Sequence, residues 1–306
     1  MMTMIVRVAT LVAILGLQAC SGPMQTRSAA SERAAPSPLV ALSGETRDVH
    51  NLVIVVPGAL SSVHVFDSYL ARTEPDTTVV GYRFPGLDGR PLDGRVRIRQ
   101  AGADIAAYVK HRSPAHVRLI GLSTGGPIVL EAARRISGPD VEVGLVSTAL
   151  PSPAVLASSA AGLLDIIAAA GRIDAFDLRL LWGEYYRTLL FGRRHFTEPQ
   201  LAARSADLAD ADVDRLILPK NGMTRAHGGD LLNWTLDNPQ DLSHARILFL
   251  HGARDPVFPA RGARRLAARL SESKIIVYPR SGHLLFATEP TLFDDLNRAF
   301  RTWEGD

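Results

Sequence analysis

Val117-Arg118-Leu119-Ile120-Gly121-Leu122-Ser123-Thr124-Gly125-Gly126 is the stretch on which the reading of this chain turns. Val117 to Leu122 is an apolar, partly β-branched run that predicts a buried strand, and Pro127 to Ala133 predicts a helix with proline tolerated in its first turn. Ser123 falls at the junction. A sharp strand-to-helix reversal strains the residue at its apex, and glycine two places to either side lets the backbones pass with no Cβ in the way. The free N–H groups at the helix start then point at whatever is bonded to Ser123, so an oxyanion formed there is stabilised. The same ten residues also suit an ordinary βα turn with a serine helix cap, and the rest of the chain has to decide between the two.

Two further strand ends carry complementary chemistry. Arg246 to Gly252 is a second buried-strand pattern and runs into Ala253-Arg254-Asp255-Pro256-Val257, which puts Asp255 on a strand-end loop. Lys274 to Pro279 is a third, ending in Arg280-Ser281-Gly282-His283, so His283 is on the next such loop. In a parallel sheet all three loops open on one edge. The chain order Ser, Asp, His, each just after a strand, is what a nucleophile, an orienting acid and a general base require.

With these three sites the chain resembles the α/β-hydrolase superfamily, of esterase or lipase type, over most of residues 48 to 304. The resemblance implies an α/β fold, a mainly parallel sheet of about six strands flanked by helices, with a helical cap insertion. It makes Ser123 the nucleophile, His283 the base and Asp255 the acid that holds the imidazole tautomer. The family also needs an oxyanion loop after an early strand, and Asn51 to Leu60 supplies one. Carried over by position, the backbone N–H groups of Ala59 and Thr124 form the hole. Where the family often has His-Gly, this chain has Pro57-Gly58; proline has no N–H but precedes the donor. The implied activity is cleavage of carboxylic esters, acyl or lipid-like, through an acyl-enzyme and without a cofactor. Thioesters, lactones and amides share that machinery, and a non-catalytic ligand-binding protein of the same fold is the alternative from a different class.

Ahead of the domain stands an address. Arg7 precedes Val8 to Leu17, an apolar core too short for a comfortable membrane span, and the segment closes in Leu17-Gln18-Ala19-Cys20. This resembles a bacterial lipoprotein lipobox, although Gln18 is more polar than its position usually carries. Residues 1–19 then read as a signal peptide and Cys20 as the lipidated first residue, the alternative being a plain secretory signal with an incidental cysteine. Cys20 is the one cysteine of the chain, so no intramolecular disulfide forms. Residues 20–46, rich in Ser, Ala, Pro and charged side chains, read as a tether with an r.m.s. span of about 25 to 30 Å. The expected location is the cell envelope, lipid-anchored, at the outer membrane facing the periplasm in a Gram-negative cell.

Residues 47–306 are of a size for one domain with an insertion. The net charge is +3, and Lys110, Lys220 and Lys274 are the only lysines, leaving 31 arginines among 34 basic residues. They are scattered among acids, without the basic and aromatic stripe of a nucleic-acid groove, so no nucleic-acid partner is expected. No His, Cys, Asp and Glu grouping has metal-ligand spacing, and no glycine-rich phosphate loop precedes Lys-Ser or Lys-Thr.

Thr77 to Tyr82 and Val141 to Val146 add strands, Pro38 to Leu42 suggests one short antiparallel piece, and Arg97 to Arg112 predicts an amphipathic helix. Residues 152–245 exceed a simple crossover and read as the cap. Its apolar side chains, Leu156, Leu163, Leu164, Ile166, Ile167 and Ile173, then Leu178, Leu180, Leu181, Trp182, Tyr185 and Tyr186, line an acyl pocket or form the cap's own core. Of the remaining polar residues, His251 reads as packed rather than catalytic, His64 and His227 as surface positions in preference to substrate contacts from the oxyanion loop and the cap, and Ser281 as a turn former.

Overall fold

The computed structural model describes residues 37–43 and 49–303, apart from 75, 93, 174–176, 213–216 and 221. The leader, Cys20 and most of the stretch read as tether lie outside the described residues. Seven strands form one sheet in the order β1-β3-β2-β4-β5-β6-β7. They are β1 Leu39–Ala41, β2 Asn51–Val56, β3 Thr77–Tyr82, β4 His116–Leu122, β5 Asp140–Val146, β6 Ala245–Gly252 and β7 Ser273–Tyr278. All pairings are parallel except β1 with β3. The seventh strand is β1, the short antiparallel piece expected between Pro38 and Leu42; at three residues it has too little pattern to count as a strand by sequence alone.

Alternation decides the layers. Along β4, Val117 and Leu119 join one apolar cluster while Ile120 and Leu122 join another, and β6 does the same with Ile247 and Phe249 against Leu248 and Leu250. Both faces are therefore dry, as a sheet covered on two sides demands. The first cluster is closed by α2 Ile98–Arg112, α3 Gly125–Ala133 and α8 Ala260–Ala267. Tyr69, from the short α1 Asp67–Leu70, and Phe293, Leu296 and Phe300, from α10 Leu292–Arg301, close the second. Ile98, Ala101, Ile105 and Val109 form the buried stripe of α2, close to the face its sequence predicts.

Strand order reverses between β2 and β4. From β2 the chain moves outward to β3, and from β4 it moves the other way to β5, β6 and β7. The loops leaving β2 and β4 part there, opening the crevice in which open α/β sheets bind ligands. Ser123 follows β4 and Gly58 follows β2, so both stand at that switch point.

The insertion after β5 is helical. It comprises α4 Ala154–Ala170, α5 Leu178–Phe191, α6 Pro199–Asp212 and α7 Met223–Gly228. Helix α5 packs between α4 and α6, and its last turn is stitched to the edge on which Ser123 stands: the N–H groups of Gly282 and His283 donate to the carbonyls of Leu190 and Leu189, each at 2.7 Å. Leu284, Leu190 and Phe191 form a buried cluster beside those bonds. A short α9, Leu285–Thr288, follows.

Candidate active site

Ser123 is held in the left-handed region, φ 51°, with its N–H on the Val146 carbonyl (2.9 Å) and its own carbonyl accepting from Gly126 and Ala149 (3.0 Å each). Such a conformation costs a non-glycine residue about 1–3 kcal/mol and persists only where its surroundings enforce it. The flanking glycines allow it. A Cβ on Gly121 would stand 2.6 Å from the Gly125 carbonyl oxygen, and one on Gly125 would run into the carbonyl oxygens of Val56 and Pro57. Close approach of β4 to the start of its own helix accounts for Gly121, and close approach of the elbow to β2 accounts for Gly125.

His283 and Asp255 reach the same point from the ends of β7 and β6. His283 Nε2 lies 3.0 Å from Ser123 Oγ, and His283 Nδ1 lies 2.8 Å from Asp255 Oδ2. The pairs are 160 and 28 residues apart in the chain. The other carboxylate oxygen of Asp255 accepts from the N–H groups of Val257 (2.8 Å) and Phe258 (2.9 Å), which fixes the side chain. His283 and Asp255 are buried while Ser123 is half-buried, so the hydroxyl is the part left accessible. With Asp255 ionised, Nδ1 carries the proton and Nε2 is free to accept from Ser123.

His251 lies behind this pair, fully buried. Its Nε2 donates to the Phe258 carbonyl (2.7 Å) and stands 3.4 Å from Asp255 Oδ2. Burial pushes its pKa down, with Asp255 and the Phe258 carbonyl opposing. It is packed, as its sequence context suggests.

The loop after β2 rests directly on the serine: a Cβ on Gly58 would be 3.1 Å from Ser123 Cβ. Ala59 follows on that loop, and Thr124, buried, follows Ser123 at the start of α3. Leu60, at φ 58°, turns the loop, and its N–H donates to His227 Nδ1 at 3.0 Å. His227 Nε2 in turn donates to the Pro85 carbonyl at 2.7 Å, so the ring is fixed in the Nε2–H tautomer. Further along, Asp88 receives the Ser62 hydroxyl at 2.5 Å and the Val63 N–H at 3.1 Å.

His227 therefore departs from the surface position expected of it. It is buried, brought from α7 to clamp the loop, and burial lowers its pKa despite the Pro85 contact. Nothing in Thr224 to Gly229 signals this, because its partner is 167 residues away. His64 does sit at the surface, 3.3 Å from Asp67, and Ser281 shapes the histidine loop by bonding Glu289 and by accepting from the Arg254 N–H (3.0 Å).

The cap residues divide in a way the sequence reading did not foresee. Ile166, Ile173, Leu181 and Tyr185 build a small core around Ala169, but Leu156, Leu163, Leu164, Leu178 and Leu180 are exposed and take no part in that core. Besides Val155, Asp165 and Ile166, the inner side of α4 is made of small residues, with Gly162 over the Tyr185 hydroxyl, and the leucines are left outside. Burial pushes the Tyr185 hydroxyl pKa up, with Asp165 and Asp255 adding to it. Among the described residues no group of three His, Cys, Asp or Glu side chains is placed to hold a metal ion.

The family model described as the alpha/beta hydrolase family matches residues 53–296, from within β2 to within α10. The chain belongs to the alpha/beta hydrolase family. Hydrolysis of a small-molecule substrate is the activity that accompanies membership. No curated protein gives a significant sequence match. Among solved structures, this hydrolase is similar to the candidate non-heme bromoperoxidase BpoC of Mycobacterium tuberculosis, at 16% identity and TM-score 0.65 over 87% of this chain and 96% of that one. It is similar to a hydrolase from Pseudomonas aeruginosa at 17% identity and TM-score 0.62, covering 88% and 94%. A thermophilic esterase from Thermogutta terrifontis matches at 20% identity and TM-score 0.57, covering 87% and 93%. At such identities the likeness is one of fold.

Proposed function

We propose that this alpha/beta hydrolase is a serine esterase in which Ser123, His283 and Asp255 act as nucleophile, general base and orienting acid. One observation carries the reading: the unbroken run of contacts from Ser123 Oγ to His283 Nε2 (3.0 Å) and from His283 Nδ1 to Asp255 (2.8 Å), on a serine held at positive φ. A capping serine has no use for a histidine aimed at its hydroxyl.

The steps follow from that geometry. Ser123 Oγ attacks the ester carbonyl carbon as its proton passes to His283 Nε2, and the electron pair of the C=O bond moves to oxygen. The N–H groups of Ala59 and Thr124 receive that oxyanion. As the tetrahedral intermediate collapses, the imidazolium gives its proton to the leaving alcohol, and the acyl group stays on Ser123. His283 then takes a proton from water, the hydroxyl oxygen attacks the acyl carbon, and Ser123 leaves reprotonated. Asp255 remains ionised throughout and stabilises the imidazolium.

In this proposal the substrates are acyl or lipid-like esters, and the enzyme is held in the cell envelope by a lipidated Cys20, on the strength of Leu17-Gln18-Ala19-Cys20. The deciding experiment is labelling of the purified protein with a fluorophosphonate, followed by a panel of esters, thioesters, lactones and amides. Labelling of wild type but not of Ser123→Ala, with esters turned over fastest, is the expected result. Labelling that survives Ser123→Ala removes the nucleophile assignment; a faster thioester, lactone or amide redirects the substrate class. Mass spectrometry of the mature N-terminus tests Cys20 separately.

A further inference from the structure

Helix α4 has an inverted distribution of polarity. Its one charged residue in seventeen, Asp165, is 4% exposed and turned inward onto Arg193 (2.5 and 3.0 Å), while Leu156, Leu163 and Leu164 are exposed at 51%, 37% and 64%. Val155, Ser158 and Ala169 share the buried side with Asp165. At the helical repeat, positions 156, 160, 163, 164 and 167 fall on the opposite stripe, which holds no charge. Leu178 and Leu180, on the first turn of α5, are exposed at 43% and 54%. Clustered exposure of large apolar side chains marks an interaction surface.

The path of the chain says what faces it. Because β1 is antiparallel to its neighbour, Leu39 pairs with Tyr82, the last residue of β3. Ser37 and Pro38 are held there by Arg83, whose N–H donates to the Pro38 carbonyl (2.7 Å) and whose guanidinium reaches the Ser37 carbonyl (2.5 Å). The chain toward Cys20 thus leaves from the strand C-terminal edge, the edge from which the α4 cap also departs after β5. Residues 21–36 separate Cys20 from Ser37, a stretch that spans at most about 60 Å fully extended.

We infer that the apolar stripe of α4 docks on a lipid surface, turning the cap and the Ser123 edge toward the membrane that holds Cys20. The inference rests on the anchoring proposed above. A helix lying in the interface buries an uncharged apolar face of this kind about 5–10 Å into the headgroup and acyl boundary. No helix among the described residues is long and apolar enough to cross a membrane, so α4 lies on the surface.

Because Cys20 is the only cysteine, the full chain produced without lipidation can be coupled through its free thiol to a maleimide phospholipid in phosphatidylcholine–phosphatidylglycerol vesicles. Hydroxyl-radical footprinting then reads side-chain exposure against the same chain coupled to soluble maleimide-polyethylene glycol. Modification of Leu163 and Leu164 should fall about threefold or more on vesicles, with no change at exposed His111, which ends α2 ahead of β4 on the opposite edge. Undiminished modification at both leucines overturns the inference. Protection in the soluble conjugate that grows with protein concentration overturns it too, by assigning the face to a second copy of the chain. The readout needs no turnover, so it stands apart from the esterase assignment, and chemical coupling separates it from lipidation in the cell.

Discussion

Strand β4 and helix α4 are both apolar runs, yet they relate to water in opposite ways. Every apolar side chain from Val117 to Leu122 is buried, whereas α4 presents its leucines to solvent and hides its aspartate. The strand is fixed by neighbours on both sides, β2 and β5 in register along its length. Among the cap helices, the helix packs chiefly onto α5, with Gly162 facing the Tyr185 hydroxyl. A rigid edge that brings Ser123, His283 and Asp255 together and a cap with an unspent apolar face are different kinds of construction, and substitutions should separate them.

The largest contrast lies in the edge. Ser123→Ala and His283→Ala should each reduce turnover by roughly 10⁴ to 10⁶, and the double variant should be scarcely worse than either, because the residues act as one unit. Asp255→Asn should cost less than either. Steady-state kinetics on protein whose circular dichroism matches wild type checks this; additive losses would mean that the serine and the histidine work independently.

Next comes the elbow. Gly125→Ala places a Cβ against the carbonyl oxygens of Val56 and Pro57, backbone atoms in the centre of the sheet that cannot give way. Urea unfolding should show a loss of about 1–3 kcal/mol or more, together with loss of fluorophosphonate labelling. An unaffected midpoint would show that the β2 and β4 ends are less tightly fixed than their contacts require.

His227 joins the two regions, since it belongs to the insertion and holds the loop beside Ser123. Its effect should be on kcat rather than KM. His227→Ala should lower kcat about 10- to 100-fold by freeing a donor-bearing loop, and His227→Asn, whose amide oxygen can accept from Leu60 in place of Nδ1, should recover part of it. Equal changes in kcat and KM, or no rescue by asparagine, would make the residue merely structural. The histidine also carries a pH dependence. Burial depresses its pKa below the ordinary 6.5 or so, so as pH falls the unfolded chain binds the proton first. The contribution to stability is complete above about pH 6.5 and is lost as pH falls from there through the folded pKa. Melting temperature against pH should therefore decline below 6.5, and less steeply in His227→Asn.

These regions also differ in how far the sequence discloses them. Ser123, Asp255 and His283 are legible because each follows an apolar run that can only be a buried strand, and parallel strands deliver their ends to one edge. The glycines around Ser123 are legible for the same reason. The clamp from His227 to Leu60 is not, because it joins segments 167 residues apart with no local pattern at either end. The buried Glu131, which receives Trp234 Nε1 (3.0 Å) and Arg135 (2.5 Å), was equally hidden. In α4 the difficulty is different. Apolar residues occupy nearly every turn all round the helix, so periodicity leaves the buried side undetermined; the small residues that decide it act through contacts with α5.

The smallest expected effect is the sharpest test of the contrast. Leu164→Asp replaces a side chain that is 64% exposed, so it should alter the unfolding free energy by no more than about 0.5 kcal/mol. Leu119→Asp, in the fully buried middle of β4, puts an unpaired charge into the core and should abolish folding or lower stability by several kcal/mol. Near-silence at Leu164 should extend to kcat on a short soluble ester, since a side chain that is mostly in water holds nothing else in place. If Leu164→Asp unfolds the protein as readily as Leu119→Asp, the α4 leucines are packed in solution. The cap would then be an extension of the core, with no apolar face left to offer a membrane.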